Sequence, residues 1–264
     1  MADLLAQYGP WAMVTGASSG IGAEFARQLA AQGMNLVLTA RREELLERLS
    51  DELVSRHGIK TRVVPLDLAR DDILGDLARV TDPLEIGLLI NNAGFTNDGD
   101  LLDNDLEAET RLLHVNCRAP LMFAHTFGTH MRERGKGGMI FLASTVAFAA
   151  VTQWANYSAS KAYALVLAES LAKELRPHGV DVMALCPGFT RTEFAELAPV
   201  SNALAMDPDK VVAFALSKLG KTTLAIPGFF NKFAVASTRM QPRALNSFVY
   251  KQVIGPTQKL NRAV

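Results

Sequence analysis

Three side chains that could take part in proton transfer lie in the second half of the sequence: Ser144, Tyr157 and Lys161. Residues 156–176 have a helical pattern in which Tyr157 and Lys161 are at positions i and i+4, so the phenol and the ammonium share one helix face. A phenol is a poor base near neutral pH because its ordinary pKa is about 10, and a neighbouring ammonium lowers that pKa by stabilising the phenolate. Ser144 follows a predicted strand and could hydrogen-bond a substrate oxygen that Tyr157 protonates or deprotonates. The three residues therefore predict general acid–base chemistry on a carbonyl or an alcohol.

A glycine-rich turn near the start of the sequence could bind phosphate. Residues 13–22 read MVTGASSGIG, in which a short apolar strand runs into Gly16, Gly20 and Gly22 and then into a helical pattern. This arrangement directs backbone N–H groups and the positive end of a helix dipole at an anion, and glycine lets a pyrophosphate touch the backbone. The Gly-x-x-x-Gly-x-Gly spacing differs from the usual dinucleotide fingerprint, and such a turn can also close an α/β unit that binds nothing.

The same turn also fits Gly-x-Ser-x-Gly, the nucleophile elbow of serine hydrolases, with Ser18 as the nucleophile between Gly16 and Gly20. An elbow needs an earlier strand and loop to supply half of the oxyanion hole, and only about a dozen residues precede this turn. A serine hydrolase is therefore the remote alternative.

The residues after the second predicted strand bear on the choice of cofactor. Arg41 and Arg42 stand where a site specific for NAD usually has an Asp or Glu for the ribose 2′-hydroxyl. Arginine can hold a 2′-phosphate through two parallel hydrogen bonds and gains less from a hydroxyl, so the pair favours NADP(H) over NAD(H). In the alternative interpretation, both arginines simply open a solvated helix.

Two further strand ends carry residues suited to a nucleotide. Asp67 follows the third predicted strand and could accept a hydrogen bond from an adenine amino group, or could equally cap a helix. Asn92, Ala93 and Gly94 follow the fourth strand, and their small side chains let the backbone pass close to a ligand. We expect both segments to line the cofactor site.

Apolar runs that alternate with helical patterns predict a doubly wound α/β fold in a single domain over residues 1–264. Near-continuous apolar strands separated by helices indicate a parallel sheet that is covered on both faces. A helix is predicted over residues 43–56, which have leucines at helical spacing, and no repeat or linker divides the chain. The predicted strands are residues 12–15, 35–39, 61–65, 87–91, 139–143 and 180–185, with a seventh over 225–228.

Composition excludes several classes of protein. Lys and Arg number 27 and so do Asp and Glu, which argues against a general nucleic-acid binder. No apolar run reaches the roughly 18–20 residues of a membrane span, and no signal peptide is recognisable, so we expect a cytoplasmic protein. Cys117 and Cys186 are expected to be buried reduced thiols. The five histidines lack the spacing of metal ligands, and no metal site is predicted.

Taken together, these motifs resemble the short-chain dehydrogenases/reductases of the classical type. The resemblance runs from about residue 11 to residue 192 and covers the TGASSGIG turn, the Asn-Asn-Ala-Gly run, Ser144, Tyr157-x-x-x-Lys161 and the Cys-Pro-Gly run at 186–188. It implies a seven-stranded Rossmann fold, hydride transfer between a nicotinamide and a carbonyl or alcohol, and a homodimer or homotetramer. No catalytic position departs from the family pattern, which disfavours the alternative of a cofactor-binding regulatory, redox-sensing protein.

The resemblance also assigns roles to individual residues. Asn116 becomes a fourth catalytic residue that holds a proton-relaying water, although an Asn there could also mend an irregularity of the helix backbone. Lys161 also holds the nicotinamide ribose, and the Pro-Gly segment with Thr190 or Thr192 holds the carboxamide. The cofactor-binding set that follows is Gly16, Ser18, Ser19, Gly20, Ile21, Gly22, Arg41, Arg42, Asp67, Leu68, Asn92, Ala93, Gly94, Tyr157, Lys161, Pro187, Gly188, Thr190 and Thr192.

The sequence says less about the substrate and partners. Val146, Trp154, Phe189 and Phe194 follow the catalytic segments, and beside Ser144 and Tyr157 they favour an apolar or bulky substrate; residues 189–222 are the predicted substrate loop. From Lys210 to the end there are nine Lys or Arg residues and no Asp or Glu, with aromatic residues interspersed over 229–264. This segment could be a subunit contact or lid, or a surface for anionic lipid or an acidic carrier protein.

Overall fold

A parallel sheet of seven strands forms the centre of the computed structural model, which describes residues 3–193 and 205–240. The strands are β1 (Trp11–Thr15), β2 (Asn35–Ala40), β3 (Thr61–Pro65), β4 (Ile86–Asn91), β5 (Gly137–Leu142), β6 (Val180–Leu185) and β7 (Leu224–Ala225). Their order in the sheet is β3-β2-β1-β4-β5-β6-β7, and every pairing is parallel. The order reverses direction between β1 and β4, and in such sheets ligands bind at the carboxyl ends of the strands beside that point.

Helices cover both faces of the sheet. The helices are α1 (Leu4–Tyr8), α2 (Gly20–Ala30), α3 (Glu43–His57), α4 (Ile73–Thr81), α5 (Leu106–Leu113), α6 (Ala119–Arg134), α7 (Ala155–Leu175), α8 (Pro208–Lys218) and α9 (Phe229–Met240). A π-helical turn, His114–Arg118, joins α5 to α6, and short 3-10 turns occupy Thr145–Phe148 and Arg176–His178. None of the helices in the described part of the chain is both long and apolar enough to span a membrane.

The core consists of two apolar layers, one on each face of the sheet. Alternate residues of β1 divide between them: Ala12 and Val14 pack with α2, α3 and α8, whereas Met13 packs with α4, α6 and α7. All five β1 residues are buried, as expected for an inner strand covered on both faces. This burial makes β1 and its neighbours a rigid support for the loops at their carboxyl ends.

The predicted single-domain Rossmann fold is confirmed, with small shifts at the ends of elements. The third and sixth strands have the predicted bounds, and α7 begins and ends one residue earlier than predicted. The seventh strand is shorter than predicted, because Pro227 has no N–H with which to continue the ladder. Cys186 is buried as expected, but Cys117 is only half-buried, and neither forms a disulfide.

Candidate active site

A cavity of about 490 Å³ opens at the carboxyl ends of the strands, beside the point where the strand order reverses. Gly22 and Asn116 are near the cavity but do not line it, and Phe194 lies outside the described residues. The other predicted site residues all line it: Gly16, Ser18, Ser19, Gly20, Ile21, Arg41, Arg42, Asp67, Leu68, Asn92, Ala93, Gly94, Ser144, Val146, Trp154, Tyr157, Lys161, Pro187, Gly188, Phe189, Thr190 and Thr192.

The glycine turn forms one wall of the cavity and has the backbone that its sequence requires. Gly16 and Gly20 have φ of 67° and 55°, a region that favours glycine. A Cβ on Gly22 would lie 2.2 Å from the Gly16 carbonyl oxygen, so only glycine lets α2 pack this closely on the turn. Ser19, the N-cap residue of α2, makes no side-chain capping hydrogen bond, which leaves the helix N-terminus suited to an anionic ligand.

Asn92 joins the glycine turn to the end of β4. Its Nδ2 donates to the Thr15 carbonyl oxygen at 2.9 Å, and its own N–H donates to the Thr15 hydroxyl at 2.9 Å. These bonds hold the carboxyl ends of β1 and β4 together where the strand order reverses. The glycine turn and the Asn-Asn-Ala-Gly segment therefore form one rigid unit.

Arg42 extends across the cavity rim to the glycine turn. Its guanidinium donates to the Ser18 hydroxyl at 3.2 Å and to the Ser19 hydroxyl at 2.8 Å, and it pairs with the Glu193 carboxylate at 2.8 Å. Hydrogen bonds from Arg42 and Ser19 lower the pKa of the Glu193 carboxyl group. Arg42 therefore hydrogen-bonds two hydroxyls and a carboxylate. The alternative interpretation, in which it only opens a solvated helix, does not account for these contacts.

Asp67 lies at the far end of the cavity and has partners already. Its carboxylate accepts from the Ala69 N–H at 3.1 Å and pairs with Arg111 of α5. Burial raises the pKa of Asp67, but these two hydrogen bonds, together with the charges of Arg111 and Arg41, outweigh burial and lower the pKa. The helix-cap alternative is wrong, since Asp72 is the N-cap residue of α4. Arg111 lines the cavity and was not predicted, because nothing local in the sequence marks a contact between residues this far apart.

Tyr157, Ser144 and Lys161 meet at the inner end of the cavity. Ser144 lies just beyond β5 and hydrogen-bonds Tyr157, while Lys161 Nζ donates to the Leu142 carbonyl oxygen at 2.9 Å and lies 5.6 Å from the centre of the Tyr157 ring. Tyr157 and Lys161 are 7% and 5% exposed, so this cluster is buried in the protein.

The expected lowering of the Tyr157 pKa is wrong. Burial raises the pKa of Tyr157 well above its usual range, and the hydrogen bond from Ser144 offsets only part of that rise. Burial also lowers the pKa of Lys161 to about 8, opposed in part by the Cys117 and Cys186 thiols. Loss of water acts on both groups in the direction that disfavours charge, and it outweighs the attraction expected between them.

Asn116 lies in the π-helical turn between α5 and α6, which confirms the predicted backbone irregularity. Its Nδ2 donates to the Phe95 carbonyl oxygen and to the Ser160 hydroxyl, each at 3.0 Å, and its Oδ1 accepts from the Phe95 N–H at 3.1 Å. A Cβ on Gly94 would lie 3.1 Å from both Asn116 Oδ1 and Lys161 Nζ, so both side chains approach the same glycine. The predicted water-holding role of Asn116 stays a prediction.

Apolar side chains surround the other side of Tyr157. Val146 and Trp154 pack against it, and the Trp154 ring meets the Tyr157 ring edge-on with centres 5.7 Å apart. Phe95 and Phe189 complete this wall; Phe95 was not predicted, although it directly follows the Asn-Asn-Ala-Gly run. These contacts make the space next to the phenol apolar.

Thr190 and Thr192, the two residues that could hold the nicotinamide carboxamide, both line the cavity. The Thr190 hydroxyl donates to the Gly188 carbonyl oxygen at 3.2 Å, and the Thr192 hydroxyl donates to the Thr190 carbonyl oxygen at 3.3 Å. A Cβ on Gly20 would lie 3.0 Å from Thr192, so Thr192 is next to the glycine turn. The choice between them stays a prediction.

Nothing in the cavity favours the hydrolase alternative. Ser18 accepts a hydrogen bond from Arg42, and the described residues that line the cavity include no histidine. A serine nucleophile is activated by an adjacent general base, and an arginine cannot serve as one.

Comparisons with known proteins agree with this geometry. The very-long-chain 3-oxoacyl-CoA reductase of Phaeosphaeria nodorum is 34% identical over 227 residues, which cover 83% of this chain and 66% of that protein. This chain therefore spans slightly less than two thirds of that relative's length.

Two solved structures are also similar. A structure of 7β-hydroxysteroid dehydrogenase matches with a TM-score of 0.89 at 27% identity, covering 94% of this chain and 98% of that one. A short-chain dehydrogenase from Sphingobium yanoikuyae in complex with NADPH matches with a TM-score of 0.77 at 33% identity, covering 88% of this chain and 94% of that one. The model of the short chain dehydrogenase family matches residues 10–200, and we conclude that this chain belongs to that family.

Proposed function

We propose that this protein uses NADPH to reduce the keto group of a bulky, apolar molecule to an alcohol. The observation that carries the proposal is the buried cluster of Ser144, Tyr157 and Lys161, which lies beside apolar side chains at the inner end of a cavity that begins at the glycine turn. A hydroxyl, a phenol and an amine that lie together in a buried part of the cavity suit proton transfer to a carbonyl oxygen.

The residues of the cavity fit a bound dinucleotide. Gly16, Gly20 and Gly94 line the cavity without side chains, so a ligand can approach the backbone there, and the N-terminus of α2 is available to a pyrophosphate. The reduced nicotinamide would supply the hydride to the carbonyl carbon. The side chains of the protein would orient the carbonyl group and transfer the proton.

In the proposed reaction, Ser144 orients the carbonyl oxygen and Tyr157 donates the proton that this oxygen needs as hydride arrives. The raised pKa of Tyr157 keeps the phenol protonated at neutral pH, which suits an acid in the reductive direction. Lys161 holds the ribose, and with Asn116 it returns the proton to Tyr157 from solvent.

A preference for NADP(H) rests on Arg42. Its guanidinium, with the Ser18 and Ser19 hydroxyls, forms a donor group of the kind that grips a phosphate. A ribose 2′-phosphate would take the position at which Arg42 now pairs with Glu193. Support also comes from the similar dehydrogenase that was solved with NADPH.

An apolar substrate is supported by the wall around Tyr157 and by the similar proteins. The names of these proteins refer to very-long-chain 3-oxoacyl-CoA and to a hydroxysteroid, which share a keto or hydroxyl group on a large hydrocarbon body. Val146, Trp154 and Phe189 offer such a body an apolar surface. We therefore propose this class of substrate for this chain.

The test of the reaction is NADPH consumption, followed by absorbance, with a panel of long-chain 3-oxoacyl thioesters and steroid ketones. The Tyr157→Phe variant should lose turnover by about a hundredfold or more, because the proton donor is gone, while its Kd for NADPH stays the same. The matched control is Tyr163→Phe, on the same helix but 37% exposed, which should keep full activity. Wild-type protein that binds NADPH yet reduces no ketone would support the regulatory alternative instead.

The preference for NADP(H) is tested by measuring how Arg42→Gln changes the Kd for NADPH and for NADH. Removing this guanidinium should raise the Kd for NADPH about tenfold or more and leave the Kd for NADH unchanged, because a charged hydrogen bond to phosphate is lost. Arg48→Gln, which changes an exposed arginine of α3, the helix that Arg42 precedes, is the control. Equal losses for both cofactors would contradict the assignment of Arg42 to the 2′-phosphate.

A further inference from the structure

The helix α9 carries three phenylalanines that face outward from the protein. Phe229, Phe230 and Phe233 are 78%, 77% and 68% exposed, and the first two rings meet edge-on with centres 6.1 Å apart. Val235 of the same helix is only 3% exposed, so α9 is anchored on the protein by another face. We call Phe229, Phe230 and Phe233 the aromatic surface. Clustered exposed aromatic residues usually mark a contact with a partner or a membrane.

The helix that carries the aromatic surface packs beside the cavity. The first turn of α9 packs on the Pro-Gly segment, since a Cβ on Gly188 would lie 2.4 Å from the Asn231 side-chain oxygen. Gly188 itself lines the cavity, and α9 also packs against Thr145–Phe148, the turn that directly follows Ser144. A partner bound to the aromatic surface would therefore be separated from the cavity by α9 itself.

The charge around the aromatic surface is positive. Lys232, on the same helix, and Lys218, at the end of α8, lie with their Nζ atoms 5.3 Å and 5.7 Å from the centre of the Phe214 ring. Lys221 is also exposed, and residues 210–238 of the described chain include four lysines and no acidic residue. These charges favour an anionic binding partner over a neutral or a basic one.

We propose that the aromatic surface binds an anionic lipid bilayer, with the phenylalanine rings in the interface and the lysines at the head groups. A helix with exposed aromatic residues on one side and lysines beside them is typical of such binding. A second copy of the chain fits this surface less well, because a self-complementary contact would bring like charges together. This surface is outside the catalytic site, and the proposal does not depend on the proposed function.

The test is flotation of the full-length protein with vesicles of phosphatidylcholine, with and without phosphatidylserine. The wild type should float with the phosphatidylserine vesicles, less with phosphatidylcholine alone, and less again as salt is raised. Phe229→Ser/Phe230→Ser should lower partitioning about tenfold or more, because two rings no longer leave water. The matched control is Leu102→Ser/Leu106→Ser, which changes two leucines that are 95% and 79% exposed, and it should partition like the wild type.

Unfolding temperature and NADPH binding, measured for each variant, show whether it is folded. The proposal is overturned if the wild type does not float with phosphatidylserine vesicles at low salt, or if the leucine control loses as much binding as the phenylalanine variant. It is also overturned if soluble polyglutamate binds the protein while the vesicles do not, since the surface would then serve an acidic protein. Reductase activity without flotation would leave the proposed function intact and refute this inference alone.

Discussion

Replacing Lys161 with methionine should make the folded protein more stable while removing an active-site group. The Lys161 side chain is 5% exposed, and its amine donates a hydrogen bond to the Leu142 carbonyl oxygen at 2.9 Å. Burial lowers the pKa of this amine from 10.5 to about 8. The folded chain therefore holds a charged group in a place that disfavours charge, and methionine would fill the same space without that cost.

The size of the effect follows from the pKa. A fall from 10.5 to about 8 corresponds to about 3 kcal/mol of folding free energy at about 1.4 kcal/mol per pH unit. Methionine also loses the hydrogen bond to the Leu142 carbonyl oxygen, which costs about 1 kcal/mol. The Lys161→Met variant should thus gain about 2 kcal/mol at pH 7, or about 4–8 °C in unfolding temperature for a chain of this size.

The stability difference between Lys161→Met and the wild type should depend on pH. Between pH 8 and pH 10.5 the unfolded wild type still binds the Lys161 proton while the folded protein has released it, so wild-type stability rises with pH through this window. The burial cost is fully present below pH 8 and is gone above pH 10.5. The advantage of Lys161→Met should therefore be largest at pH 7 and should shrink as pH rises towards 10.

The assay is urea unfolding of the wild type and the variant at pH 7 and pH 10, without added cofactor. The control is Lys173→Met, an exposed lysine on the same helix, whose stability should differ little from the wild type at either pH. The reasoning is refuted if Lys161→Met is less stable than the wild type at pH 7, or if the difference between them is the same at both pH values.

Three further predictions concern Glu193, Gly22 and Tyr157. Glu193→Gln should lower the Kd for NADPH a few-fold and leave the Kd for NADH unchanged in fluorescence titrations, because the carboxylate competes with a phosphate for Arg42; an equal change from Glu43→Gln, an exposed glutamate on α3, would point to general charge instead. Gly22→Ala should lower the free energy of unfolding by about 1–3 kcal/mol and weaken NADPH binding, because its Cβ would lie 2.2 Å from the Gly16 carbonyl oxygen. A neutral or stabilising result in urea unfolding would show that α2 can move away at little cost. Because burial raises the pKa of Tyr157, oxidation of an alcohol, which needs the phenolate, should keep accelerating with pH beyond neutrality in initial-rate assays. A plateau below about pH 8 would contradict that direction, since the ordinary phenol pKa is about 10.

The fold could be predicted because each strand and helix is marked by a pattern within its own short stretch of sequence. Buried parallel strands are apolar on both faces, so β1, β4 and β6 appear as short apolar runs, and helix periodicity separates them. The ends of strands are less certain: β5 begins two residues earlier than predicted and stops before Ala143, and β7 is two residues long because of Pro227. Where a strand ends is set by its neighbours in the sheet as well as by its own residues.

The site could be predicted only where its residues act as a local motif. Gly16 and Gly20 belong to one strand-to-helix turn, Tyr157 and Lys161 belong to one helix, and all four line the cavity. By contrast, Arg42 and Glu193 are 151 residues apart, and Trp154 and Asp98, which share a hydrogen bond, are 56 apart. No periodicity encodes such pairs, because loops of very different lengths bring them together. The direction in which the Tyr157 pKa shifts also could not be predicted from the sequence, since it depends on how deeply the phenol is buried.

The two shifted pKa values together suggest how the proposed proton donor would be restored. Once Tyr157 has given its proton to the substrate oxygen, the phenolate is the conjugate base of a group whose pKa lies well above 10, while the Lys161 ammonium beside it has a pKa of about 8. Transfer of a proton from Lys161 to Tyr157 is then downhill in free energy. Burial, which opposes the expected lowering of the phenol pKa, thus favours a relay that runs from the amine to the phenol. The lysine would in turn be reprotonated past Asn116, which approaches the same glycine, Gly94, as the Lys161 amine does.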